Sequence, residues 1–492
     1  MKILLVYPKT PSTFWSFETA LEFISKKSAE PPLGLITVAA MLPEHWDLKL
    51  IDMNVSTLLD KDIKWADYVF LSGMSVQINS FKEVIRRCNI LGTKIVAGGP
   101  LATTQYKDFL GIDHFVLNEA EITLPEFLQD LENNSLKSIY STSDFPDITS
   151  TPIPKWELLD IKKYASMSMQ YSRGCPYDCE FCSITVLNGR RPRTKTVDQF
   201  LNELSRLIDL GWLGPVSVVD DNFIGNKVKL KKEFLPALIN WMKERKYPFN
   251  FISEVSINLA DDEELSDMLA EAGFNSLFVG IETPNNESLN ECGKNLNLKS
   301  NMLESVHKLQ QKGFIVSGGF IVGFDHDPPS IFDQQIDFIK ESGIVSAMVG
   351  VLNAPTGTKL FNRMKSENRL LDSFTGNNMD GSINFIPQMN YSELMSGYTK
   401  ILKTIYADRE YYQRVKQFLL NYKIPEWSIN SPSLSEIKTF FKMVWKLGFL
   451  DGSKVYFWKL LGYTLIKCPQ KLVLAMTFAV YGFHFRNIVR TI

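Results

Sequence analysis

Met167-Ser-Met-Gln-Tyr-Ser172-Arg-Gly174-Cys175-Pro-Tyr-Asp-Cys179-Glu-Phe-Cys182 joins a β-rich run to a loop carrying three cysteines. The run predicts a strand over Met167–Ser172, with the loop directly after it. Three thiolates spaced Cys-x3-Cys-x2-Cys on one tight loop can reach three corners of an iron–sulfur cube. A structural zinc ion would want a fourth Cys or His close by. None lies in the surrounding loop, and Cys88, Cys292 and Cys468 are far away in sequence. The spacing therefore assigns Cys175, Cys179 and Cys182 as metal ligands and leaves one iron open to a substrate or cofactor.

Downstream, strands are expected at Val216–Asp220, Phe249–Glu254, Ser276–Gly280, Phe314–Val322 and Ser346–Leu352. Helices fall between them, as at Val197–Leu210, Asp262–Ala272 and Lys299–Lys312. Six strand–helix units fit a partial or complete parallel barrel over 167–375 better than a second open sheet. Barrel enzymes collect their active sites at the carboxyl ends of the strands. Here those ends carry Asp220-Asp221-Asn222-Phe223, Gly280-Ile281-Glu282, Gly319-Phe-Ile-Val-Gly323-Phe-Asp325 and Pro355-Thr-Gly-Thr358. Glu254, Glu282 and Asp220 are the candidate catalytic carboxylates, with rim salt bridges or helix caps as the alternative use. Asp220 and Asp221 are adjacent on a strand, so at most one lines the lumen. Arg190, Arg191 and Arg193 could neutralise a carboxylate ligand or form a solvated basic turn.

Upstream, residues 1–145 alternate strand and helix. Strands are expected at Ile3–Tyr7, Leu48–Asp52, Tyr68–Gly73, Lys94–Ala97 and His114–Leu117, and helices at Leu35–Leu42, Phe81–Leu91 and Leu124–Leu131. That is an α/β, doubly wound Rossmann-like sheet, which binds ligands beyond the carboxyl ends of its strands. Those ends carry Ser72-Gly73-Met-Ser75, Gly98-Gly99-Pro100 and Asn118-Glu119-Ala-Glu121. The glycines suit close approach by a bulky ligand, or simply turns. Residues 146–166 follow as a linker.

From about 376 to 492 helical patterns dominate, with many aromatics. The span 452–492 has no acidic residue but carries Lys454, Lys459, Lys467, Lys471, Arg486 and Arg490. Its apolar run 472–483 is too short to cross a bilayer. It reads either as a helix packed on the barrel or as an interfacial helix that attracts anionic lipid and admits a lipid substrate, in which case deleting 452–492 should abolish flotation with anionic liposomes. A net charge of −2 and the absence of a basic module argue against a nucleic-acid partner. Few, clustered cysteines and no signal-peptide core point to a cytoplasmic enzyme, with peripheral contact at the inner membrane face if the tail is interfacial.

At the cysteine loop the chain resembles the radical S-adenosylmethionine (SAM) superfamily, and the resemblance covers nearly all of it. It implies a [4Fe–4S] cluster whose open iron is chelated by SAM, reductive cleavage to a 5′-deoxyadenosyl radical, and an electron donor such as flavodoxin or ferredoxin. Phe181 matches an aromatic position near the adenine, Gly280 and Glu282 lie where SAM is held, and Arg191 could face its carboxylate. The layout is similar to the branch with an amino-terminal cobalamin-binding domain, which implies cobalamin near Ser72, Ser75, Gly98, Gly99 and Glu119. An Asp-x-His-x-x-Gly loop is missing, and the only histidines there are His45 and His114, so the lower corrin face should meet Ser72–Ser75 or water. The helical tail resembles a subgroup that includes hopanoid-type lipid methylases. The expected reaction is cobalamin-dependent C-methylation of a hydrophobic small molecule or lipid. Non-methylating radical chemistry (cyclisation, oxidation or carbon–carbon bond formation) and a non-catalytic iron–sulfur protein are the alternatives.

Overall fold

The computed structural model describes residues 1–371, 375–377, 380–425, 427 and 434–490. Its first sheet is wholly parallel: β1 (Lys2–Tyr7), β2 (Asp47–Asp52), β3 (Tyr68–Ser72), β4 (Lys94–Gly98), β5 (His114–Val116) and β6 (Ile139–Tyr140) run in the order β2-β1-β3-β4-β5-β6. Ile3 to Val6 are completely buried, as a central strand covered on both faces requires. The two-residue β6 has no apolar run of its own; it forms because Phe115 and Leu117 offer their amides to Ser138 and Tyr140.

The second sheet is also parallel and sequential. β7 (Met167–Met169), β10 (Gly214–Val218), β11 (Phe249–Val255), β12 (Phe274–Glu282), β13 (Ile315–Val322) and β14 (Ala347–Val351) pair in that order. No pairing joins β14 back to β7, so this is a partial barrel with an open side. The expected strand Met167–Ser172 splits. It leaves the barrel after Met169, and β8 (Ser172–Arg173) turns away to pair antiparallel with β9 (Arg193–Thr194). The cause lies far off in sequence: Asp220 takes the amides of Tyr171 and Ser172, both at 2.7 Å.

The open side is closed from the first domain. Between β1 and the helix Leu33–Met41, residues 14–30 cross to the barrel. Ser28 bridges Tyr164 in parallel, the amides of Ala165 and Ser166 reach Ser28 and Ala29, and Ser168 Oγ donates to Glu30 at 3.0 Å. At the other edge, Trp15 Nε1 donates to Met348 Sδ of β14 at 2.8 Å. The expected linker 146–166 is itself packed, with Trp156 and Tyr164 fully buried.

The tail forms helices Tyr391–Ile405, Asp408–Asn421, Leu434–Trp445, Lys454–Lys467 and Leu472–Val489. The apolar run at 472 is longer than the sequence suggests. One helix of the structure, Pro469–Val489, is long and apolar enough to cross a membrane, with a mean hydropathy of 1.4, and half of it is buried inside the protein. His484 and Arg486 are buried in it; Arg486 pairs with Asp451 at 2.9 Å, and His484 bonds Thr19 and the Phe14 carbonyl. A charged group matched by protein partners marks a core helix that clamps residues 14–21.

Candidate active site

The cysteine loop is pinned at several points by residues outside it. Gly174 sits at φ 94°, where a Cβ would lie 2.7 Å from the Arg191 carbonyl, so only glycine fits. Its amide donates to Asp221 at 2.7 Å, and Asn188 Nδ2 donates to the same carboxylate. Glu180, between the second and third cysteines, is gripped by Arg363 Nε at 2.7 Å, while its amide bonds the Cys292 carbonyl at 2.9 Å. Arg363 also holds Asp325 and Glu291, tying the loop to the end of β13 and to the helix after the barrel.

All three thiols are free and half-buried. Burial pushes Cys182 up to about 12 and raises Cys175 and Cys179, against the pull of the Lys294 ammonium. Among the described residues no three His, Cys, Asp or Glu side chains converge on a point where one metal ion would sit. The three thiols are close enough to act on one another electrostatically. Cys292, remote in sequence, lies against the loop, but its thiol donates to the Leu289 carbonyl and is buried.

The lumen beside this loop has two kinds of wall. Strand alternation turns Val255, Val279 and Ile281 under the outer helices and Glu254, Phe278 and Gly280 inward. Glu254 registers opposite Phe278, and in the next row Gly280, Gly319 and Met348 stand side by side. A Cβ on Gly319 would meet the Phe278 ring at 2.8 Å, so the glycine lets that ring lie across β13. Trp15, 40% exposed, packs edge-on against Phe278 at 5.3 Å. Glu254 is open to solvent through the lumen yet ringed by protein, and the described residues give it no hydrogen-bond or ion-pair partner. Its surroundings, then the charges of Asp221 and Glu30, push its carboxyl up to about 7 despite Lys294.

Other sequence candidates take different roles. Glu282, at φ 64° on a β-bulge, is paired with Lys294 at 2.6 Å. That pair fills the space above Gly280, where a Cβ would lie 2.3 Å from Glu282, so Gly280 makes room for the ion pair. Asp220 is not a lumen carboxylate: it is 1% exposed and committed to Tyr171 and Ser172. Both adjacent aspartates hold the approach to the cysteine loop. Arg191 is exposed and, among the described residues, its side chain has no hydrogen-bond or ion-pair partner, while Arg190 pairs with Asp178. Phe181 lies 6.2 Å from Phe324 at the end of β13.

In the first domain, the room expected over Gly98 and Gly99 is already taken. A Cβ on Gly98 would sit 2.7 Å from the Val116 carbonyl, and one on Gly99 (φ 81°) 2.2 Å from Ser72 Oγ. Ser75 lies against Gly376. Glu119 does not face the strand ends either. It bonds Arg173 at 2.7 Å and Arg193 at 2.7 Å, while Glu121 bonds Arg173 at 2.8 Å. This buried charge cluster joins the loop after β5 to Arg173, the residue just ahead of Gly174. His114 sits at the start of β5, bonded to the Lys137 carbonyl, and His45 precedes β2, so both lie at the wrong end of the sheet for a corrin. A cleft of about 840 Å³ on the barrel's flank, between Glu263–Glu271 and Met302–Gln311, contains none of the candidate residues.

A parallel sheet joined through this charge cluster to a partial barrel with a trithiol loop makes a two-module α/β protein. The comparisons with known proteins agree. Residues 24–128 match the B12 binding domain, 169–351 the radical SAM superfamily, and 358–492 a domain of unknown function. An uncharacterized methyltransferase of Synechocystis sp. is 39% identical, covering 100% of this chain and 93% of that protein. The hopanoid C-2 methylase of Rhodopseudomonas palustris is 30% identical, covering 97% and 92%. The fold is shared with the cobalamin-dependent SAM radical enzyme OxsB with aqua-cobalamin and SAM bound (TM-score 0.65, 15% identity, 100% and 80% coverage). It is shared too with the radical SAM methyltransferase TsrM of Kitasatospora setae (TM-score 0.62, 14% identity, 87% and 96% coverage). The chain belongs to the cobalamin-dependent radical SAM methyltransferase family, and its cofactors are a [4Fe–4S] cluster, SAM and cobalamin.

Proposed function

We propose that this enzyme methylates a carbon of a hydrophobic small molecule or lipid, with the cluster on Cys175, Cys179 and Cys182 and the substrate in the barrel lumen. The observation that carries the substrate class is the lumen wall of Trp15, Phe278 and Met348 beside the cysteine loop. When bound, the cluster supplies the electron that cleaves SAM to a hydrogen-abstracting radical, and methylcobalamin supplies the methyl group. The chain's own residues do the rest. Asp221, Arg363 and Gly174 hold the thiol loop in shape. Lys294 places a positive charge beside Cys179 and Cys182, favouring their anionic forms. Trp15 and Phe278 exclude water from a reactive carbon centre. Glu254, protonated below about pH 7, stands ready to hydrogen-bond a polar group of the substrate.

The similarity to a hopanoid C-2 methylase makes a pentacyclic triterpene the first substrate to try. Anaerobically reconstituted enzyme with cobalamin, a reductant and methyl-labelled SAM should give a triterpene carrying one labelled methyl group, read by mass spectrometry. Formation of 5′-deoxyadenosine with a cyclised or oxidised product and no label would favour the non-methylating alternative.

A further inference from the structure

The tail carries an apolar face that the fold leaves bare. Phe441, Trp445 and Phe449 recur every four residues along the helix Leu434–Trp445 and its π-turn continuation Lys446–Leu450, and they are 65%, 61% and 54% exposed. Leu450, at the end of that turn, is 67% exposed. Trp458 of the following helix joins them, its ring 5.7 Å from Phe449. This is a designed exposure rather than a shortage of core, since Leu447, Phe457 and Leu460 of the same elements are fully buried. Soluble monomers rarely display so many large apolar side chains in one patch.

We propose that this face, not the helix Leu472–Val489, docks the enzyme on an anionic lipid bilayer. Charge selects the bilayer over a second copy of the chain. Lys438, Lys442, Lys446, Lys454 and Lys459 are interleaved with the aromatics, a mixture suited to a lipid interface and depleted from protein–protein contacts. Asp451, just past the stripe in sequence, is buried against Arg486, and the one acid paired with a lysine of the stripe among the described residues is Glu22, on Lys446 at 2.9 Å. The face also adjoins the route to the lumen. Lys446 lies over the Phe23 and Phe483 rings, and the helix carrying Phe483 brings Tyr481 to Phe17, which leads through Trp15 to Phe278. A bilayer seated there would deliver an apolar molecule to the side of the barrel closed by residues 14–30. The surface itself stands whether or not the methylation proposal does.

Deleting 452–492 would test the wrong thing, because it removes a buried core helix. The test is flotation of the full-length holoenzyme with phosphatidylcholine vesicles with and without phosphatidylglycerol. Wild type should float only with the anionic vesicles and less at high salt. The triple variant Phe441→Ser, Trp445→Ser, Phe449→Ser should lose at least about tenfold in bound fraction, the order expected for withdrawing three large side chains. Lys454→Glu with Lys459→Glu should weaken binding further than salt alone. Brominated phosphatidylglycerol should quench wild-type tryptophan emission more than that of Trp445→Phe, a measurement that needs no destabilising change. The proposal is overturned if wild type never floats, if the triple variant floats equally well, or if wild type is a dimer in solution that the triple variant dissociates.

Discussion

The two sets of strand ends answer differently to the same kind of sequence. In the barrel, residues picked out for chemistry include some that face open space: Glu254 in the lumen and the three thiols on a loop pinned by others. In the first sheet, the residues picked out for cobalamin are largely occupied with one another: Gly99 yields to Ser72, Gly98 to Val116, and Glu119 to two arginines of the barrel. Glycines and carboxylates at strand ends therefore do not by themselves mark ligand contacts. Here they shape the joint between the two modules.

The largest effect is expected at that joint. Replacing Arg173 with Met leaves Glu119 and Glu121 buried with a partner removed, which should cost about 3–5 kcal/mol. Urea unfolding of the anaerobic protein would measure it, and Glu119→Gln in the same background should recover part of the loss. A change within error would show the domains are held by something else.

Next comes the approach to the cysteine loop. Asp220→Ala strands two buried amides, for about 1–3 kcal/mol each. Iron content and melting temperature should fall together. A variant of normal stability that cleaves no SAM would instead restore Asp220 as a catalytic group.

Gly99→Ala adds a Cβ at positive φ and against Ser72, and should cost about 1–2 kcal/mol, partly recovered by Ser72→Ala. Loss of corrin without loss of stability would mean that the glycine serves the cofactor.

The smallest effect concerns a proton. Glu254 has a folded pKa raised to about 7, so the folded state binds its proton more tightly than the unfolded chain. Stability from this residue is present at low pH and is lost as pH rises from about 4 through 7. Infrared difference spectra against Glu254→Gln should show a protonated carboxyl band that disappears near pH 7. A band already gone at pH 5 would contradict the lumen environment described here.

What could be read from the sequence was what repeats or clusters locally. The Cys-x3-Cys-x2-Cys spacing and the alternation of strand and helix need no knowledge of distant residues, and the β10–β14 strands fall within a few residues of their expected places. What escaped was set by long-range partners. Nothing near Gln170 announces that Asp220 will break the strand there. Residues 14–30 have no strand or helix pattern, yet they close the barrel because two unpaired edges await them. Lys294 and Arg363 carried no motif signal of their own; their roles follow from carboxylates found only once the chain has folded. Periodicity does flag the exposed stripe at 441, 445 and 449, but without the neighbouring helices it looks like any amphipathic core face.

The most direct test of the account is metal and corrin analysis of anaerobically purified protein reconstituted with iron, sulfide and hydroxocobalamin, beside the Cys175→Ala, Cys179→Ala, Cys182→Ala variant. About four irons and one corrin per chain are expected in wild type, and the variant should keep the corrin but lose the iron and SAM cleavage. Zinc with no iron in wild type, or a variant that still holds a cubane and cleaves SAM, would contradict the assignment.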